Sequence, residues 1–344
     1  MTTTLAREET QAPSMPTGLH QLKKILSIRA VQIILVEIVV IAFFFAMSPE
    51  GAFLNAANVR GMLLTASQVL LLAIGQAILM SAGKIDISQG AVLILASVAS
   101  GQVMVALQGS MSPAATLIVG LAVALLIGAV LGAAIGILVG VVGINSLVAT
   151  LGMLSIATGV AQVATGGVNI FGMPGELSDW FGSVRFGAIP LPVILSLAVI
   201  GVIWAVYRLT PWGTHTLATG SNALAARRVG IKTVRNTIGI FIVSSTLAGL
   251  AGYIDLARYS TTNISGHLND SMAAIAAALI GGTALTGGRI SFLGAIVGAL
   301  LAILLQSGLV IINLSPFYQT IAVGAMLLIA VSLDNANRER PGSS

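Results

Sequence analysis

The residues best suited to recognition are gathered in one basic stretch, Gly220-Ser-Asn-Ala-Leu-Ala-Ala-Arg-Arg-Val-Gly-Ile-Lys-Thr-Val-Arg-Asn236. It is short, helix-forming and cationic, and it joins two long apolar runs, so it is built to sit in water and be gripped by a partner. Other chemistry is sparse. Glu37 lies near the middle of an apolar run, where an ionisable group is costly and marks either a proton site or a neutral acid bonded at a helix interface. Asp86 and Ser88 lie in a glycine-rich turn, where both can accept from the free N–H groups that open the next helix. Asp255 precedes Arg258 by three positions, the spacing of a local pair on one helix face. No Ser/His/Asp cluster or carboxylate pair has catalytic spacing. Gly83-Lys84 is followed by Ile85, so the chain has no phosphate-cradling loop of the Gly-x-x-x-x-Gly-Lys-Ser/Thr kind. Cysteine is absent, and His20, His215 and His267 lie far apart, so a metal site is not expected.

The elements that must hold these residues are membrane spans. Of the 344 residues 56% are hydrophobic and 8% charged, with a mean hydropathy of +1.01. A soluble domain carries about a quarter of its residues as charges. Continuous apolar runs, rather than period-two alternation, predict an all-α polytopic fold, because each backbone polar group must be satisfied inside its own segment. About ten segments are expected, near 30–48, 61–82, 90–107, 114–142, 146–165, 190–208, 237–257, 272–282, 291–312 and 317–333. Segment 272–282 is too short to cross, since about 20 residues are needed, and reads as a broken or re-entrant helix.

With the N-terminus inside, all but Arg60, Arg185 and Arg258 of the 16 Lys and Arg residues fall on the cytoplasmic side. This is the positive-inside bias, and it places both termini in the cytoplasm. The net charge of +5 is therefore a matter of topology and not a signal for nucleic acid. The expected organisation is a cytoplasmic tail over residues 1–28, a transmembrane domain over 29–335 with a cytoplasmic loop at 209–236, and a cytoplasmic tail over 336–344. Gly128, Gly132, Gly136 and Gly140, and likewise Gly294 and Gly298, recur every fourth position and predict close helix packing inside the protein. Thr65, Ser67, Gln68, Gln76, Ser81, Ser146, Ser155 and Ser244 are uncharged polar residues in spans, suited to a neutral polar solute or to joining helices.

Four passages, in order and in register over about 30–335, resemble the permease subunits of bacterial ABC importers for ribose, xylose, arabinose and related sugars. They are Gly83-Lys-Ile-Asp-Ile-Ser-Gln-Gly90, Asn145-Ser-Leu-Val-Ala-Thr-Leu-Gly152, Gly220-Ser-Asn-Ala-Leu-Ala-Ala-Arg-Arg-Val-Gly-Ile231 and Ala274-Ile-Ala-Ala-Ala-Leu-Ile-Gly-Gly-Thr-Ala-Leu-Thr-Gly-Gly-Arg289. Lys84 stands where that family has a second glycine, and Ser146 where it has proline. The resemblance implies a multi-pass protein of the bacterial plasma membrane that carries a monosaccharide or related neutral solute. Gly220, Asn222, Ala225, Ala226, Arg227 and Gly230 would couple it to a separate ATPase. Asp86, Ser88, Asn145, Thr150, Gly152, Gly281, Gly282, Thr283, Gly287 and Gly288 are the candidates for the pathway or its gate. The implied partners are a second permease chain, identical or different, two cytoplasmic ATPase subunits that hold ATP and Mg, and a periplasmic or lipid-anchored sugar-binding protein. No cofactor is expected in this chain. The rival reading is an ion-coupled secondary transporter using Glu37 or Asp86.

Overall fold

The computed structural model describes residues 29–182, 185–186, 189–315 and 317–338. The expected N-terminal tail, and residues 339–344 of the C-terminal one, lie outside them. Twelve helices follow in chain order: α1 (Arg29–Met47), α2 (Ala56–Ser81), α3 (Gln89–Leu107), α4 (Pro113–Ile137), α5 (Ser146–Thr165), α6 (Leu191–Leu209), α7 (Pro211–Ser221), α8 (Ala223–Arg228), α9 (Thr233–Tyr259), α10 (Asp270–Ile280), α11 (Phe292–Ile311) and α12 (Phe317–Arg338). A π turn at Leu138–Val142 prolongs α4. The described strands are one two-residue hairpin, β1 (Arg185–Phe186) against β2 (Ile189–Pro190).

All ten expected segments are helices, and seven are long and apolar enough to cross a bilayer: α2, α3, α4 with its π turn, α5, α6, α9 and α11. α10 has 11 residues and so spans about 16 Å, half of the hydrocarbon thickness. It ends in the turn 281–291, as expected of a broken helix. α12 runs on to Arg338, past the expected end of the transmembrane domain.

α2, α3 and α9 form the buried centre of the bundle. From Ala66 to Ser81 every residue of α2 is buried. α1, α4, α5 and α6 are peripheral and turn large apolar side chains outward, among them Val39, Ile118, Val163 and Val202. Outward apolar faces suit a solvent of lipid.

The glycine stripe of α4 is the seam against α9. A Cβ on Gly128 would lie 2.3 Å from the Ser245 carbonyl, one on Gly132 2.5 Å from that of Phe241, and one on Gly136 2.7 Å from the Ile238 Cα. Backbones this close leave no room for a methyl group, so the stripe is internal packing, as its spacing implied. Gly298 lies in the same way against the Ala277 carbonyl, joining α11 to α10.

Gly132→Ala should therefore destabilise the purified protein by about 1–3 kcal/mol, the usual cost of overpacking. Gly159→Ala, on α5 with nothing within 4 Å of the added carbon, should be neutral. Thermal unfolding in detergent checks the pair, and equal midpoints would contradict the seam.

Candidate functional site

The basic stretch folds as two short helices at one end of the bundle. Thr210 opens α7 by accepting from the Trp212 N–H at 3.3 Å. Asn222 ends α7 and opens α8, its Oδ1 accepting from the Ala225 N–H at 3.0 Å. Gly230 has φ +87°, a left-handed value that glycine adopts without strain, and so turns the chain after α8 back toward α9. The Arg227 Nε donates to the Thr233 hydroxyl at 2.7 Å, tying α8 to the first turn of α9. Ala226 is buried beneath α8, whereas Asn222, Ala225, Arg227, Arg228 and Gly230 are exposed. Leu224 and Val229 are 62% and 77% exposed on the same short segment. Lys232, Arg235 and Arg289 are also exposed at this end. Among the described residues, no Lys or Arg makes an ion pair with a carboxylate. The result is an apolar tip ringed by cations that have no carboxylate partner among the described residues.

This tip is wedged into the bundle at Gly220. A Cβ there would lie 2.1 Å from the Ser81 carbonyl and 2.8 Å from the Gly288 N. The Gly288 N–H donates to that same Ser81 carbonyl at 2.9 Å, and Gly287 lies against the Gly220 backbone. Gly83, φ +68°, faces the Thr286 carbonyl. Three glycine passages far apart in sequence thus meet around the end of α2. The Ser81 hydroxyl shares a 2.8 Å hydrogen bond with the Tyr207 hydroxyl, and the Tyr207 ring makes edge contacts with Trp212 and Phe292. Tyr207 was not among the candidates. Its place in an apolar run gave no sign that its hydroxyl had a partner 126 positions away.

The remaining candidates are partly assembled. The Asp86 Oδ1 accepts from both the Ser88 N–H and the Ser88 hydroxyl, and both residues are fully buried. Ser88 precedes α3 but makes no side-chain cap bond, so the carboxylate closes the turn and does not cap the helix as expected. The Gly90 N–H reaches the Ser271 hydroxyl at 2.9 Å, linking this turn to α10. The Ile85 N–H reaches the Ser146 hydroxyl, joining it to the second matched passage. Asn145 caps α5 through the Leu147 N–H. Thr150 is buried and bonded within α5, whereas Gly152 faces open space. Thr283 is buried and accepts from the Ser291 N–H, and Gly281 lies against Gly294. Gly282 takes φ +92° in the same turn. Glu37 is buried on α1, and its Oε1 has no hydrogen-bond partner among the described residues.

At the opposite end of α2 the expected Asp255–Arg258 pair does not form. Asp255 instead accepts from the Gln68 amide at 3.0 Å and meets the His267 Nε2 at 3.1 Å. Arg258 donates to the Thr65 hydroxyl at 2.8 Å. The deeper carboxylate has a closer match on α2 and in the loop 260–269, and the guanidinium is left to the helix rim. The His267 Nδ1 meets Asp270 at 2.8 Å, so one imidazole bridges two carboxylates. Some of the uncharged polar residues of the spans likewise tie helices together. Gln89 donates to Ser244 at 2.8 Å, and Ser196 donates to the Ser67 carbonyl at 2.8 Å. The Ser67, Thr150 and Ser155 hydroxyls instead bond within their own helices, and the Gln76 amide has no partner among the described residues.

A family model described as "Branched-chain amino acid transport system / permease component" matches residues 58–331. The chain belongs to that family of multi-pass membrane permeases. The D-allose transport system permease protein of Escherichia coli (strain K12) is 30% identical to it, over 86% of this chain and 88% of its own length. The ribose import permease protein of Bacillus subtilis (strain 168) is 33% identical over 82% and 86%. The L-arabinose ABC transporter permease protein of Azospirillum brasilense is 27% identical over 90% and 88%. No solved structure matches. The permease match favours the importer over the ion-coupled reading built on Glu37 or Asp86.

Burial opposes charge on His267, but its bonds to Asp255 and Asp270 outweigh it and raise the pKa from 6.5 to about 10. A raised folded-state value means that the bridge contributes its full stability below about pH 6.5 and loses it as pH rises through about 10. The gap in melting temperature between the wild type and His267→Gln should therefore be widest at or just below pH 6.5, already narrower at neutral pH, and close toward pH 10. A gap independent of pH would remove the charge from this bridge.

Proposed function

We propose that the chain is the transmembrane permease subunit of an ATP-driven importer, forming the route for a monosaccharide or a related neutral polar solute. The observation that carries this reading is the tip from Asn222 to Gly230. It is exposed, stiffened by a cap and by the Arg227–Thr233 bond, and seated through Gly220 on the two glycine-rich turns that interrupt the spans. An apolar knob ringed by cations fits a groove with acidic edges on a separate, cytoplasmic ATPase, where Arg227 and its neighbours would meet carboxylates. Movement of that knob would be transmitted directly to Ser81 and Gly288, because no compressible side chain lies between them and Gly220. The ATPase would supply the nucleotide and Mg, and this chain needs no cofactor of its own.

The importer would comprise two permease chains, two ATPase subunits and an external solute-binding protein. Ribose, allose and arabinose, named in the relatives, set the class of solute. The uncharged character of the polar residues in the spans agrees with a neutral cargo.

Asn222→Ala removes the cap, worth about 1 kcal/mol of local helix stability. Arg227→Ala removes the tie to α9. Both variants should insert normally, yet lower sugar uptake and solute-stimulated ATP hydrolysis by about tenfold or more, the scale set by losing 1–2 kcal/mol of coupling. Gly220→Ala should do the same by opening the contact with Ser81. Uptake assays and ATPase assays on reconstituted complexes check this, with an uncoupler present to exclude ion coupling. Normal uptake in all three variants would sink the assignment of this loop.

A further inference from the structure

The far end of α2 from Gly220 carries a feature that neither the coupling tip nor the glycine turns use. A cavity of about 580 Å³ lies within this one chain, between the first half of α2, the end of α9, the loop 260–269, and helices α10, α11 and α12. Its size falls in the range of about 300–1,000 Å³ found for small-molecule sites. It is walled by polar side chains at the level of a span, where an unused polar group is expensive.

The charges in its wall are already committed. Asp255 and Asp270 are bridged by His267, and Arg258 is bonded to Thr65 and sits 4.7 Å from the centre of the Tyr259 ring. An ionic ligand therefore meets two carboxylates, a bridging imidazolium and a guanidinium that balance one another. The uncommitted groups include three amides as well as the Tyr259 and Thr320 hydroxyls. Gln306 on α11, Gln319 on α12 and Asn269 at the start of α10 line the cavity, and none has a side-chain hydrogen bond among the described residues. Each amide offers a donor and an acceptor together, which is the pattern that adjacent hydroxyl groups on a ring present in return.

We propose that this cavity is a solute site within each permease chain, taking a neutral polyhydroxylated molecule of monosaccharide size through Gln306, Gln319 and Asn269. The proposal rests on the importer reading for its choice of solute. By the positive-inside distribution of the basic residues the cavity lies on the outer side, where cargo released from an external binding protein would first meet the permease. The Gln68–Asp255–His267–Asp270 chain of bonds holds the α2, α9 and α10 walls in register, so these four are positioning residues and the three amides are the contacts.

Saturation-transfer difference NMR on the full-length chain in detergent tests this, with D-ribose, D-allose and L-arabinose as probes and leucine and gluconate as charged controls. At least one neutral sugar should give a signal, and the charged controls should neither give one nor compete. Gln306→Leu and Gln319→Leu, which keep side-chain bulk, should each weaken binding by about fivefold, the value of one hydrogen bond. No signal from any sugar, an unchanged signal in both folded variants, or equal competition by leucine would overturn the site. ATP-dependent uptake by the reconstituted importer is measured separately. Sugar binding without such uptake would keep the cavity and fell the importer reading, and uptake without effect of either variant on its KM would fell the cavity alone.

Discussion

A backbone amide in hydrocarbon has no water to fall back on, and the arrangement of this protein follows from that. Long spans satisfy their own N–H and carbonyl groups, so α4, α5 and α6 can face lipid with little help. The interrupted segments cannot. The turns after α2 and α10 are covered by other protein, which supplies the missing partners. Ser271 accepts from the Gly90 N–H, the Ser81 carbonyl accepts from Gly288, and Thr283 accepts from Ser291. The broken helices are therefore bonded to one another before they are bonded to anything else.

This dependence concentrates the irregular backbone in places where movement matters. An unbroken helix transmits force as a rod, whereas a turn closed by a few hydrogen bonds can exchange them. The basic tip does not touch solvent-facing ornaments of the bundle. It sits on the end of α2 and on the second glycine turn, with backbone against backbone at Gly220 and Gly287. Tyr207 and its ring contacts to Trp212 and Phe292 brace the same junction from α6 and α11. Toward the other end of α2, about 20 Å away along a helix that rises 1.5 Å per residue, Gln68 is bonded to Asp255 and so to His267 and Asp270. A single buried helix thus carries the cytoplasmic-type junction at one end and the polar cavity at the other.

Polar residues inside the bundle serve chiefly to fix helices in register. Ser81 with Tyr207, Gln89 with Ser244 and Gln68 with Asp255 are cross-links between spans, and each removes a buried polar group from apolar surroundings. Where such partners are used up, the group is no longer available to a passing solute. Asp86, fully buried, closes its own turn through one carboxylate oxygen bonded to Ser88, while its other oxygen has no partner among the described residues, and the unpaired amides of Gln306 and Gln319 stand at the rim of a cavity.

Composition and apolar run lengths were enough to determine an all-α multi-pass protein, all ten helical segments, the shortness of α10 and the internal role of the α4 glycines, because these depend on local properties: hydropathy, helix length and the period of small residues. The basic tip was legible for the same reason, as a polar interruption with helix-forming residues. Pairings were not. Asp255 and Arg258 stand at the right spacing for a local bond, but spacing along one helix carries no information about Gln68, Thr65 or His267 on other elements. The meeting of Gly83, Gly220 and Gly288 was equally hidden, since each glycine alone signifies only a turn or a close approach. Local sequence fixes which groups must be satisfied, and only the tertiary packing decides by whom.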